Sequence, residues 1–222
     1  MFKHEKQYLN PVRVDRPNPV YAAILQEQVG GPQGELKAAM QYLSQSMRFK
    51  DPELKDLFLD IATEELCHLE MISALVNKLN GDELKAQDAK VGSVEPHVLS
   101  GLTPMLTNAS GYLWTAAYVN ETGDAAADIL SDIASEQRAK VVYQYLYRQI
   151  DDKGVRETID FLLNREEAHN MLFREAFNKI QDSGSQKDFG TTENSRIYFD
   201  LSTGGSSNPF SARNAHKPEF RS

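Results

Sequence analysis

The sequence predicts an all-α protein: a four-helix bundle with a long crossover between helices 2 and 3 and an extended C-terminal tail. Three observations carry this. Four segments repeat apolar residues at alternating steps of three and four, the spacing of a single helix face. The helices of each pair follow one another after short breaks, whereas residues 81–123 lie between the pairs. From Ser183 onward the composition shifts to Gly, Ser, Asn and Pro, which cannot build a core of its own.

The first helical region covers residues 20–48, with Leu36, Met40, Leu43 and Met47 in register and Gly30-Gly31-Pro32 marking a break or tight entry before its main part. The second covers 52–80. Asp51 is its N-cap, Pro52 takes the first position, and Asn80-Gly81 closes it. Its inner stripe reads Leu54, Phe58, Ile61, Glu65, His68, Ile72, Leu75 and Leu79. The 81–123 connection is too long for a tight turn and too aromatic for a floppy linker, so it reads as a packed crossover. The third helix spans 124–151, with Ile129, Ile133, Glu136, Ala139, Tyr143, Leu146 and Ile150 on one side. After the DDKG turn the fourth runs to 182, presenting Ile159, Leu162, Glu166, His169, Phe173, Ala176 and Ile180. The bundle is thus residues 1–182. The tail, 183–222, carries Phe189, Ile197, Tyr198, Phe199, Leu201 and Phe210, and is expected to lie over its own bundle or a neighbouring subunit.

The bulk numbers exclude several classes. A net charge of −8 argues against nucleic acid or an anionic membrane surface as a partner, since both are bound by neutralising phosphates. The N-terminal stretch has no apolar core of a signal peptide, and no run approaches the ~20 apolar residues that cross a bilayer. Cys67 is the single cysteine, so no intrachain disulfide or paired-cysteine metal site can form, and a reducing cytoplasm is the expected compartment.

The inner stripes contain the chemistry. A Glu and a His three positions apart on a helix are separated by a rise of ~4.5 Å and project from one face. This spacing occurs twice, as Glu65/His68 and Glu166/His169, and the other two helices each turn a Glu inward, Glu35 and Glu136. Glu35 precedes Glu65 by 30 positions and Glu136 precedes Glu166 by 30, so the two triplets are related by a shift of 101. Two facing helical hairpins would then each deliver half of a symmetric site, matching the known scheme of ferritin-like di-iron and di-manganese bundles. Four carboxylates and two imidazoles buried without compensation would cost more than a domain's net stability of ~5–15 kcal/mol. The stripes of helices 2 and 4 contain no basic residue, which leaves divalent cations as the compensation. Carboxylate-rich donors with one imidazole per ion suit manganese or iron, not structural zinc.

The chain resembles the non-haem manganese catalases in GGPQGELKAAMQYLSQ around Glu35, DIATEELCHLEMIS around His68, NASGYLWTAAYV in the crossover, GVRETIDFLLNREEAH around His169 and YFDLSTGG in the tail. The resemblance implies two manganese ions per subunit, no haem, and hydrogen peroxide as substrate, disproportionated to water and dioxygen as the pair cycles between Mn(II)2 and Mn(III)2. It implies Glu35, Glu65, His68, Glu136 and His169 as metal ligands. Glu166 would lie close to the metals but unbonded, moving protons, and Tyr42 would hydrogen-bond the site. It also implies a homo-oligomer, a hexamer. Some members carry an arginine immediately before the third-helix Glu, where this chain has Ser135.

Other readings are a ferritin-like di-iron oxidase, which shares the ligand motif but lacks such a tail, and a structural relative of spore-coat type with weak activity. A rubrerythrin-like peroxidase would need four cysteines. Glu64 lies off the apolar stripe and is not taken as a ligand, and Cys67 reads as a small core or near-surface residue. His4, His97 and His216 read as surface or loop residues, and Trp114 as packing at a subunit contact.

Overall fold

The structure, a computed structural model, describes residues 4–81 and 106–182. They form five α-helices: α1 (Pro19–Gly30), α2 (Glu35–Ser46), α3 (Pro52–Asn80), α4 (Ala125–Gln149) and α5 (Lys153–Asp182). The predicted first helical region is therefore two helices, divided at the predicted Gly30-Gly31-Pro32 break. Pro32 cannot donate a backbone hydrogen bond, and the chain folds back on the end of α1 so tightly that a side chain at Gly31 would sit 2.3 Å from the Glu27 carbonyl oxygen. Both pieces still pack along α3, α1 against its C-terminal half and α2 against its N-terminal half. The bundle keeps four legs, the first of them broken.

Caps set the ends. Asn18 accepts from the amides of Val20 and Tyr21 at 3.1 and 3.2 Å, with Pro19 opening α1. Asp51 accepts from Glu53 and Leu54 at 2.9 and 3.3 Å, as the sequence predicts, and Gly81 at φ 71° closes α3 in a conformation that favours glycine. Asp124 caps α4 through the Ala127 amide. Asp152 caps α5 through Val155 and with its other oxygen accepts from Asp15, tying the N-terminal arm to the bundle.

Two apolar clusters fill the bundle. One joins Leu25, Val29, Met71, Leu75, Leu79, Leu146, Ile150, Ile159 and Leu162; the other joins Ala38, Leu54, Phe58, Ile61, Ile129, Phe173 and Ile180. Phe58 and Phe173 pack with ring centroids 5.0 Å apart, and Tyr42 lies 4.9 Å from Phe173. All eight residues of the predicted α3 stripe and all seven of the α5 stripe are buried; in α4, Ile133 is only partly so. The sequence missed Asp128, Asp132 and Ser135, which α4 also buries.

The described part of the predicted crossover, from Leu106, makes a short antiparallel bridge between Thr107 and Leu113. It is fastened to the first leg by Gln26 Nε2 donating to the Thr107 carbonyl at 3.1 Å and Gln45 Nε2 donating to the Asn120 carbonyl at 2.8 Å. Trp114 is half-buried, and His4 is exposed and pairs with Glu70 at 3.2 Å. His97, His216 and the predicted tail lie outside the described residues. Among the described residues no helix is long and apolar enough to cross a membrane.

Gly30 lies against the crossover: a Cβ there would stand 2.5 Å from the backbone nitrogen and oxygen of Thr107. Gly30→Ala must push backbone from backbone, with a cost of ~1–3 kcal/mol expected from overpacking. Denaturant unfolding of the variant measures it, and a midpoint equal to that of the parent would contradict this packing.

Candidate metal centre

Between the two apolar clusters lies a layer of charge. Glu35 starts α2, Glu65 and His68 come from the middle of α3, Glu136 from α4, and Glu166 and His169 from α5, all six buried. Five of the six fall on their helices where the apolar repeat would place a Leu or Ile, so the packing that buries the stripe also buries them; Glu35 does not, because α2 buries Glu35, Ala38, Ala39 and Tyr42 while the predicted face of Leu36, Met40 and Leu43 is only partly buried and Met47 is exposed.

Glu65 is the centre. One of its oxygens lies 3.0 Å from His68 Nδ1 and the other 2.8 Å from His169 Nδ1. His68 Nδ1 also stands 3.6 Å from Glu35 and 3.8 Å from Glu166, and His169 Nδ1 stands 3.8 Å from Glu136. The two imidazoles stack, centroids 5.6 Å apart and planes inclined by 23°. Donor atoms gather into two groups, Glu35/Glu65/His68/Glu166 and Glu65/Glu136/Glu166/His169, within each of which they lie no more than 4.8 Å apart. Glu65 and Glu166 belong to both. Glu65 Oε1, Glu136 Oε2, Glu166 Oε1 and His169 Nδ1 have no hydrogen-bond partner although fully buried. Such orphaned atoms, converging from three helices, fit a pair of divalent cations.

The electrostatics agree. Burial, reinforced by the charge of Glu65, raises Glu35 to about 8 and Glu136 to about 7, and pushes Glu166 well up. Glu65 goes the other way: burial resists its charge, but His169 and His68 hold it well below the usual carboxylate range. Burial also opposes charge on His169, yet the surrounding carboxylates, Glu65 foremost, drive it up to about 10. Without metal, the layer stays neutral enough to be buried only by retaining protons.

Tyr42 lies in this layer, donating its hydroxyl to Glu136. Its counterpart was missed in the sequence: Tyr143, on the α4 stripe, donates to Glu35. The signal was available, because Tyr42 and Tyr143 are related by the same shift of 101 that relates the two triplets. Each hairpin thus supplies a phenol to the other's terminal carboxylate. Burial and the neighbouring carboxylates keep both phenols protonated.

Ser135 is not without a cation. Lys37 Nζ, buried on α2, donates to Ser135 Oγ at 2.7 Å, so a lysine from the facing helix reaches the place where the resemblance led one to look for arginine. Burial lowers it to about 8. Nearby Asp132 accepts from Gln41 at 2.6 Å and Gln45 at 3.1 Å. Polar residues facing inward from otherwise polar helix turns leave no periodic signal, and neither Lys37 nor Asp132 could be singled out. Glu64, excluded as a ligand from its position off the stripe, lies outside both donor groups but against both histidines, at 3.4 Å from His68 Nε2 and 3.2 Å from His169 Nε2. Cys67 is half-buried, and burial raises its thiol.

Known proteins resemble the chain closely. The family model described as manganese-containing catalase matches residues 1–221. A probable manganese catalase of Clostridium acetobutylicum is 68% identical over 92% of this chain and 92% of its own length. A manganese catalase of Bacillus subtilis is 36% identical over 82% of this chain and 71% of its own. The crystal structure of KatB, a manganese catalase from Anabaena PCC7120, superposes with a TM-score of 0.86 at 31% identity, covering 100% of this chain and 98% of that one.

The raised carboxylates give the metal-free protein a pH dependence of definite sign. Glu35 and Glu136 bind protons in the folded chain at pH values where the unfolded chain, near 4.5, has released them. Their contribution is complete below that value and is lost as pH rises through 7 to 8, and His169 adds the same sign above 6.5. The thermal midpoint of chelator-stripped protein should therefore fall between about pH 5 and pH 8, while manganese affinity rises over the same window as bound metal displaces protons. Calorimetry of stripped and loaded samples measures both.

Proposed function

Because the chain belongs to the family of manganese-containing catalases, we propose how its residues divide the conversion of hydrogen peroxide to water and dioxygen. It is a catalase of the non-haem manganese type. The observation that carries the division is the pair of overlapping donor groups sharing Glu65 at their centre. Glu35, Glu65, His68, Glu136 and His169 would hold the two manganese ions, Glu65 being common to both donor groups. When bound, the pair supplies two-electron exchange, taking electrons from one peroxide and giving them to another.

Glu166 is left to handle protons. It is the symmetry counterpart of Glu65, but it stands farther from His68, at 3.8 Å, and burial and three neighbouring carboxylates favour its protonated form. Its Oε1 has no partner, so a proton held there is available to a peroxide oxygen and can be recovered from the next substrate molecule. Tyr42 and Tyr143 orient Glu136 and Glu35 by donating to them. The surrounding apolar clusters keep bulk water from the reacting groups.

Donor type alone does not separate this activity from iron oxidation, and family membership supports the catalase. We further take the working form to be a cytoplasmic homohexamer protecting against peroxide; the expected tail, residues 183–222, lies outside the described residues. The exposed Leu106, Tyr112 and Leu113 support association, and the number of copies comes from the resemblance.

Protein reconstituted with manganese should evolve about one dioxygen per two peroxides consumed, and an iron-loaded sample should not. Peroxide loss without oxygen would overturn the reading. In Glu166→Gln, manganese content should be unchanged while turnover falls ~10²–10⁴-fold; full activity there would remove Glu166 from proton transfer.

A further inference from the structure

We infer that Glu64 is a positioning residue that serves both halves of the site at once, holding each imidazole by its outward nitrogen so that the inward one is free for metal, with Arg165 holding Glu64 in place. The inference rests on the dinuclear reading above.

Positions 64 and 165 are related by the shift of 101, and each immediately precedes the inward Glu of its helix. They occupy equivalent places on the two hairpins and meet. Arg165 Nε donates to Glu64 Oε1 at 2.6 Å and Arg165 Nη2 to Glu64 Oε2 at 3.3 Å, the two-pronged geometry that fixes a carboxylate's plane. In that plane Oε1 lies 3.4 Å from His68 Nε2 and Oε2 lies 3.2 Å from His169 Nε2. Neither contact is aligned as a full hydrogen bond, but among the described residues no other acidic group lies against either Nε2.

The consequence concerns tautomers. A neutral imidazole carries its proton on one nitrogen and offers its lone pair from the other. Both rings turn Nδ1 toward the carboxylate layer. An acceptor at Nε2 keeps the proton on the outside and the lone pair within, as outer carboxylates do for metal-bound histidines generally. Here one carboxylate does this for two rings from different hairpins. Glu64 is partly exposed and borders a cleft of about 990 Å3 with Thr63, Cys67, Phe161 and Arg165, so the clamp is the boundary between that cleft and the buried centre. The symmetric position could not also hold a carboxylate without repulsion, and it holds the cation.

Glu64→Gln in the full chain tests this. The amide has one accepting oxygen and one donating nitrogen, so at most one ring keeps an acceptor. Manganese affinity, by titration, should fall ~10–100-fold. At limiting manganese, electron paramagnetic resonance should change from the spectrum of a coupled pair to the six-line spectrum of isolated Mn(II). Two ions bound per subunit with parental affinity and a coupled spectrum would overturn the inference. Should Glu64→Gln lose its helical circular dichroism, Arg165→Met decides: weakened manganese binding restored by Arg165→Lys supports the clamp, and unchanged binding refutes it. If the parent chain itself failed to bind a manganese pair, the dinuclear reading would fall instead.

Discussion

An ionised Glu65 held between two imidazoles, in a layer between two apolar clusters, is the constraint from which the other features follow. A buried carboxylate is tolerated only with compensation, and the neighbours of Glu65 are all arranged to supply it or to avoid competing with it. Both histidines are drawn toward the charged form, and Glu35, Glu136 and Glu166 toward the neutral one. The metal-free layer is a store of protons in the positions that cations would take. The bundle accordingly spends its middle layer on function and draws its cohesion from the two clusters at either side.

The internal repeat organises this layer and is broken where function needs asymmetry. Tyr42 and Tyr143 obey it, each phenol crossing to the other hairpin's carboxylate. Glu65 and Glu166 obey it in position but not in charge, because Glu65 is nearer both imidazoles. Glu64 and Arg165 break it in chemistry, and Lys37 reaches Ser135 in the interior while its counterpart Arg138 stays exposed and donates to Gln33. A duplicated scaffold can thus hold two similar metal positions while its surroundings differ on the two faces.

Much of the fold was legible because a four-helix bundle imposes a simple rule on its sequence. Leu54 to Leu79 and Ile159 to Ile180 keep the rule throughout, and Asp51-Pro52 and Gly81 mark the ends of α3 by backbone chemistry that any helix shares. The first leg reads as one helical region with a break or tight entry at Gly30-Gly31-Pro32, and that break is where α1 ends and the chain turns into α2. Periodicity does not record a fold-back of the chain between two stretches that face the same neighbour. Lys37 and Asp132 stayed hidden because a buried polar residue is recognised only by its partner, and both have partners on the facing leg of the bundle.

The sequence by itself determined that six ligand-type side chains lie on inward helix faces in two related sets, since helical spacing alone dictates which residues share a face. It also determined the family, through motifs spread along the chain. The tertiary structure decided which atoms meet: that Glu65 rather than Glu166 lies between the imidazoles, that each tyrosine serves the opposite hairpin, and that Glu64, off the stripe of its own helix, reaches two histidines. The reason is geometric. A face is a property of one helix, but a site is the gap between four, and its distances depend on how the helices are set against one another.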